Sequence, residues 1–177
     1  MERVLVAYGT KHGATTEIAE AIGRTLREKG VEADVLRAGA VRSLDGYGAA
    51  VVGSAVYMAH WRGEALRFLR HHRDWLAGHD VWLFSTGPVG EADEAGEAED
   101  EHWTKPKKVE ELAAEVGARD HVVFGGMVDV DEGFMRKKMA AGMPEEVRDR
   151  RDWDEIAAWA SGVAAALTSP ASPPDPQ

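Results

Sequence analysis

The chain has 177 residues, enough for one domain with a full hydrophobic core. It contains no cysteine, which excludes disulfides, thiolate metal sites, iron–sulfur clusters and thiol redox chemistry, so any redox role must come from a bound cofactor. A formal net charge of −10 argues against a nucleic-acid partner, which needs clustered Lys and Arg; it permits steering toward a basic partner, or serves solubility alone.

The chain starts Met1-Glu2-Arg3 and runs into Val4-Leu5-Val6-Ala7-Tyr8, an apolar run of strand length and too short for a secretory h-region. Its uninterrupted apolar character predicts a strand buried on both faces. After Gly9-Thr10-Lys11-His12-Gly13-Ala14-Thr15, the residues Ile18, Ile22 and Leu26 recur at helical spacing, and Gly30 stops that helix. Ala33-Asp34-Val35-Leu36 predicts a second strand and Ala49-Ala50-Val51-Val52-Gly53 a third. Residues 54–61 read as a loop, followed by one helix carrying Ala65, Leu66, Phe68, Leu69, Trp75 and Leu76. Val81-Trp82-Leu83-Phe84-Ser85 is a fourth strand, and Val109, Leu112, Ala113 and Val116 mark another helix. Val122-Val123-Phe124-Gly125-Gly126 is the fifth strand. The last helix begins at Asp152, whose spacing to Glu155 suits a capping box, and buries Ile156, Ala160, Val163 and Leu167.

Strands alternating with helices predict an α/β fold: a three-layer αβα sandwich around a parallel sheet. Residues 1–168 form one domain, and residues 169–177 a disordered tail rich in Pro. The absence of cysteine and of any apolar stretch of membrane-spanning length fits a soluble, cytoplasmic protein. Two connections depart from the alternation. Residues 91–101 are strongly acidic and read as a solvated loop; residues 127–151 are long, and Phe134, Met135, Met139 and Met143 among Arg136, Lys137 and Lys138 predict a short extra helix. That helix either packs on the domain edge or offers a docking surface.

Ligands of an open parallel sheet bind beyond the carboxyl ends of the strands, where the strand order reverses. The first loop there combines Gly9 and Gly13, the hydroxyls of Thr10 and Thr15, and a helix N-terminus, an arrangement suited to a phosphate. It matches neither G-x-G-x-x-G nor the nucleoside triphosphatase loop. In the second loop, Tyr57 and Trp61 offer stacking surface for a flat ring, or pack the loop against the next helix. The third, Thr86-Gly87-Pro88-Val89-Gly90, would let backbone amides approach the ring edge. Adjacent His71 and His72 lack the i, i+4 spacing of a helical metal pair, and no metal site is expected.

Tyr8-Gly9-Thr10-Lys11-His12-Gly13-Ala14-Thr15-Thr16 resembles the phosphate loop of the flavodoxin family, and Val51-Val52-Gly53-Ser54-Ala55-Val56-Tyr57 its third strand and first flavin loop. Phe124-Gly125-Gly126 and Asp152-Trp153 resemble the subgroup containing the menaquinone-dependent protoporphyrinogen dehydrogenases. The resemblance implies a five-stranded sheet in order 2-1-3-4-5 with FMN at the switch point. It places Thr10, Lys11, His12, Gly13, Ala14 and Thr15 around the phosphate. Ser54, Ala55, Tyr57 and Trp61 would flank one side of the ring, and Thr86, Gly87 and Gly90 the other. No aromatic follows the fourth strand where electron carriers of the family often have one; Trp103 is a candidate to fold over the ring.

Three functions follow from this reading. One is an FMN oxidoreductase passing electrons between a redox partner or quinone and a flat substrate such as protoporphyrinogen. The second is an electron carrier with no substrate of its own. The third is a module that kept the fold without flavin.

Overall fold

A computed structural model describes residues 3–11, 13–57, 59–87, 105–127 and 149–169. His12, Gly90, Trp103, the acidic stretch 91–101, the short helix expected around Phe134–Met143 and the tail from residue 170 lie outside the described residues.

The apolar run at the start forms β1 (Arg3–Gly9), an interior strand buried from Val4 onward because both faces of the sheet are covered there. Its neighbours are β2 (Ala33–Arg37) and β3 (Tyr47–Tyr57); β5 (Asp80–Gly87) and β6 (Asp120–Gly125) complete a parallel path in the order β2-β1-β3-β5-β6. Without the short hairpin strand β4 (His60–Trp61), this is the expected order 2-1-3-4-5. Val6 pairs with Val35 on one side and Val51 on the other, and Val51 pairs with Trp82.

Helices cover both faces. On one, Ile18, Ile22 and Leu26 of α1 (Ala14–Glu28) and Ile156, Ala160 and Val163 of α5 (Trp153–Thr168) pack on Val4, Val6, Val51, Phe84 and Phe124. On the other, α2 (Gly63–His71), α3 (Arg73–Leu76) and α4 (Lys107–Glu115) bring Leu69, Leu76 and Leu112 against Leu5, Ala7, Val52 and Leu83. Each of the large aliphatic side chains so buried stabilises the fold by about 1.5–3 kcal/mol. Gly30, at φ +83°, ends α1, and the Val31 amide reaches back to the Leu26 carbonyl at 3.0 Å. Asp152 caps α5, its Oδ1 accepting from the Asp154 and Glu155 amides at 3.0 Å each.

Two expectations are corrected. Residues 54–61 are a tight hairpin: β3 runs on to Tyr57, and β4 pairs back on it, Val56 with Trp61 and Tyr57 with His60. The reversal is short enough to hold Ala59 at φ 57°, a conformation that L side chains rarely adopt. The helix expected across residues 65–76 breaks at His72 (φ −105°, ψ 13°), which redirects the chain so that Leu76 reaches the core.

After β6 the chain returns at residue 149, where Asp149 bridges to Met127 in antiparallel sense. Arg150 crosses directly over Gly125; any side chain at Gly125 would collide with the Arg150 carbonyl. Arg151 anchors this return. Its guanidinium grips both carboxylate oxygens of Asp149 (2.8 and 2.6 Å), bonds Glu17 in the first turn of α1 (2.6 Å), and lies 4.8 Å from the Trp153 ring centre. The Arg151 hydrogen bonds hold the Asp149 carboxyl below the usual range.

Candidate functional site

The carboxyl ends of β1, β3 and β5 lie side by side at one end of the sheet, Gly9 pairing with Ser54 and Ala55 with Thr86. The order reverses between β1 and β3, since β1 leads to β2 on one side and β3 to β5 on the other. The first loop follows β1 and so lies at the reversal.

Gly13 precedes α1 at φ +96°, in the left-handed region that glycine occupies without strain. With glycine there the helix has no side-chain cap, so no N-cap side chain occupies the first-turn amides of α1 at the positive end of the dipole. The loop is cross-braced internally, the Gly13 amide donating to Thr10 Oγ1 at 3.1 Å. Both backbone groups of Thr10 are also held from outside. Its amide donates to Glu64 Oε1 (3.2 Å), and its carbonyl accepts from Arg37 Nη2 (3.3 Å), which bonds the same Glu64 oxygen at 3.0 Å. Thr15 joins the first loop to the third: its hydroxyl and that of Thr86 are 2.9 Å apart, and the two residues are 2 % and 5 % exposed.

The second loop reaches the same place through Tyr57, half-buried, over whose ring Lys11 Nζ sits 5.1 Å from the centre. Ala55 is half-buried beside it, and Gly87 is buried at the end of β5. Ser54 is buried beneath the hairpin, accepting from the Arg62 amide (2.8 Å) and donating to the Ala55 carbonyl (2.9 Å).

Trp61 sits apart from this group. It is 3 % exposed, belongs to the core on the α2 side, and donates its indole N–H to Ser85 Oγ at 2.9 Å. Ser85 lies 2.9 Å from His121 Nε2, and His121 Nδ1 meets Glu110 Oε1. With the indole proton on Ser85, the serine proton satisfies His121 Nε2, and a neutral imidazole gives its Nδ1 proton to Glu110. Burial holds the His121 pKa below the ordinary range; Glu110 pulls the other way, but its side chain is half exposed and its charge is screened.

The family model for the flavodoxin domain matches residues 5–151. The chain belongs to the flavodoxin domain family. Among solved structures it is similar to rubredoxin oxygen:oxidoreductase from the anaerobe Desulfovibrio gigas (14 % identity, TM-score 0.61), covering 94 % of this chain but only 36 % of that one. It is also similar to a flavodoxin from the domain Archaea (15 % identity, TM-score 0.58) and to oxidised flavodoxin 2 from Bacillus cereus (22 % identity, TM-score 0.59). Each of these covers 94 % of this chain and 99 % of the other. No curated protein matches it. At these identities the solved structures speak to the fold.

The cofactor of this flavodoxin domain is FMN, and its residues fit that group. The uncapped first turn of α1 and the adjacent threonine hydroxyls suit a phosphate, and Tyr57 stands beside them with an aromatic face. The sequence alone did not bring out Arg37, Glu64, Ser85 or His121. Each belongs to an element remote in the chain from the group it touches, and none lies in a recognisable motif. Among the described residues, no cluster of three or more His, Asp or Glu could hold a metal, and no helix is long and apolar enough to cross a membrane.

Proposed function

We propose that this chain is an FMN-binding electron-transfer protein that exchanges electrons with a redox partner. The observation that carries this is the convergence of an uncapped helix N-terminus, the Thr15–Thr86 hydroxyl pair and the Lys11–Tyr57 contact at the reversal of strand order. In this reading the amides of Ala14 and Thr15 and the hydroxyls of Thr10 and Thr15 hold the phosphate, and Gly13, its amide bonded to Thr10, shapes the turn around it. Lys11 and His12 add positive or polar groups at the rim. Ser54 and Ala55 shape the hairpin wall, Tyr57 stacks on the ring once Lys11 swings aside, and Thr86, Gly87 and Gly90 line the other wall. Trp61 supports the hairpin from below rather than touching the ring. When bound, FMN supplies the one- and two-electron chemistry; the protein orients the ring and sets its electrostatic surroundings.

Titration of the purified protein with FMN, followed by quenching of flavin fluorescence, tests this. Saturation at one FMN per chain, with riboflavin bound at least tenfold more weakly, is the expected outcome; absence of binding refutes it. A second reading, an oxidoreductase acting on a quinone or a flat substrate such as protoporphyrinogen, is favoured by the lack of an aromatic between Thr86 and Gly90, where electron carriers of the family often have one. Reoxidation of the reduced holoprotein by menaquinone, or turnover of a porphyrinogen, would support it over the carrier.

A further inference from the structure

We propose that Glu64 and Arg37 form a positioning pair for the phosphate loop, in which Glu64 fixes Thr10 and Arg37 cancels the charge that Glu64 brings to an anion site. This rests on the reading of residues 10–15 as that loop.

The pair exists because β1 and α2 approach closely. A Cβ on Gly9 would lie 3.0 Å from Arg62 Cβ and 3.1 Å from Ala65 Cβ, so the start of α2 is pressed against the end of β1. Glu64, in the first turn of α2, is thereby brought to the Thr10 amide, and Arg37, the last residue of β2, reaches the Thr10 carbonyl from the other side. Thr10 thus has both backbone polar groups tied to charged side chains outside the loop. Its hydroxyl, accepting from Gly13, carries that restraint across to the N-terminus of α1.

An ion pair between exposed side chains is ordinarily worth little. This one differs in two ways. The Glu64 side chain is only 18 % exposed, and each partner also bonds the backbone of the loop it flanks. A carboxylate at this position has a cost, because it stands beside the place where a phosphate would lie and repels it. Arg37, 3.0 Å from the same carboxylate oxygen, neutralises that repulsion and leaves the hydrogen bond to Thr10 in place.

The test compares FMN and riboflavin, which differ only in the phosphate. Arg37→Ala should weaken FMN binding about tenfold, in keeping with loss of a charge-assisted contact, and leave riboflavin binding within about twofold. The FMN loss should shrink as salt is raised, because the exposed repulsion is screened. Glu64→Gln keeps an oxygen for the Thr10 amide and removes the charge, so adding Arg37→Ala to it should cost about twofold or less. Glu64→Ala, which removes the acceptor as well, should weaken FMN more than Glu64→Gln does. Equal losses for FMN and riboflavin, or a full Arg37→Ala penalty persisting in the Glu64→Gln background, would overturn the positioning role. A wild type that binds riboflavin and FMN equally would instead refute the phosphate-loop reading beneath it, and this inference with it.

Discussion

Thr15 and Thr86 offer the sharpest separation of stability from ligand binding. Their hydroxyls are 2.9 Å apart and both residues are buried, at 2 % and 5 % exposure. Thr15→Val keeps the shape of the side chain but takes away the hydrogen-bond partner of the buried Thr86 hydroxyl. A buried polar group left without its partner costs about 1–3 kcal/mol. In urea unfolding of the FMN-free protein, Thr15→Val and Thr86→Val should each lower stability by about that amount. The double variant removes both partners, so its loss should be clearly smaller than the two single losses combined. FMN binding should behave differently. If Thr86 donates to Thr15, the Thr15 proton is left to point at a phosphate, and its removal should weaken FMN by about 1.5–3 kcal/mol. The second substitution cannot restore that donor, so the double variant should recover stability without recovering affinity. Additive stability losses would show that the hydroxyls do not act as a pair. Unchanged FMN affinity in Thr15→Val would remove that residue from the phosphate site.

Tyr57 and Trp61, alike in the sequence, should part company on mutation. Tyr57→Ala should change the fluorescence or potential of bound FMN with a small effect on stability, while Trp61→Ala should cost about 3–5 kcal/mol in denaturant unfolding, the range for a buried Trp. Equal and small stability effects for the two would contradict the placement of Trp61 in the core. His121 should make stability depend on pH. Its folded pKa lies below its unfolded value near 6.5, so the unfolded chain takes up the proton first; the stability held above pH ~6.5 should drain away as pH falls through the folded value. His121→Gln, which cannot titrate, should therefore lose less stability than wild type between about pH 6.5 and pH 5. An NMR titration placing the imidazole pKa above 6.5 would reverse the sign and sink the argument.

Much of the fold was legible in the chain itself, because its signals are local. The unbroken run from Val4 to Tyr8 marks an interior strand, and the three-to-four-residue spacing of Ile18, Ile22 and Leu26 marks a helix with one buried face. Gly30 and Asp152 set helix ends through chemistry confined to a few neighbouring residues. The first loop could be singled out for the same reason, since glycines, hydroxyls and a helix start fall within seven residues. What only the tertiary structure decided are the contacts between residues distant along the chain. The hairpin at residues 54–61 depends on antiparallel pairing that no alternation in so short a segment announces. Trp61 had equal claims to the ring and to the core until Ser85, from another strand, met its indole N–H. Arg37, Glu64 and Thr10 come from three separate elements, and they meet only because a parallel sheet brings the ends of β1 and β2 together and seats α2 against Gly9. Periodicity along a chain records which face a residue turns inward; it carries no record of which remote polar group will be waiting there.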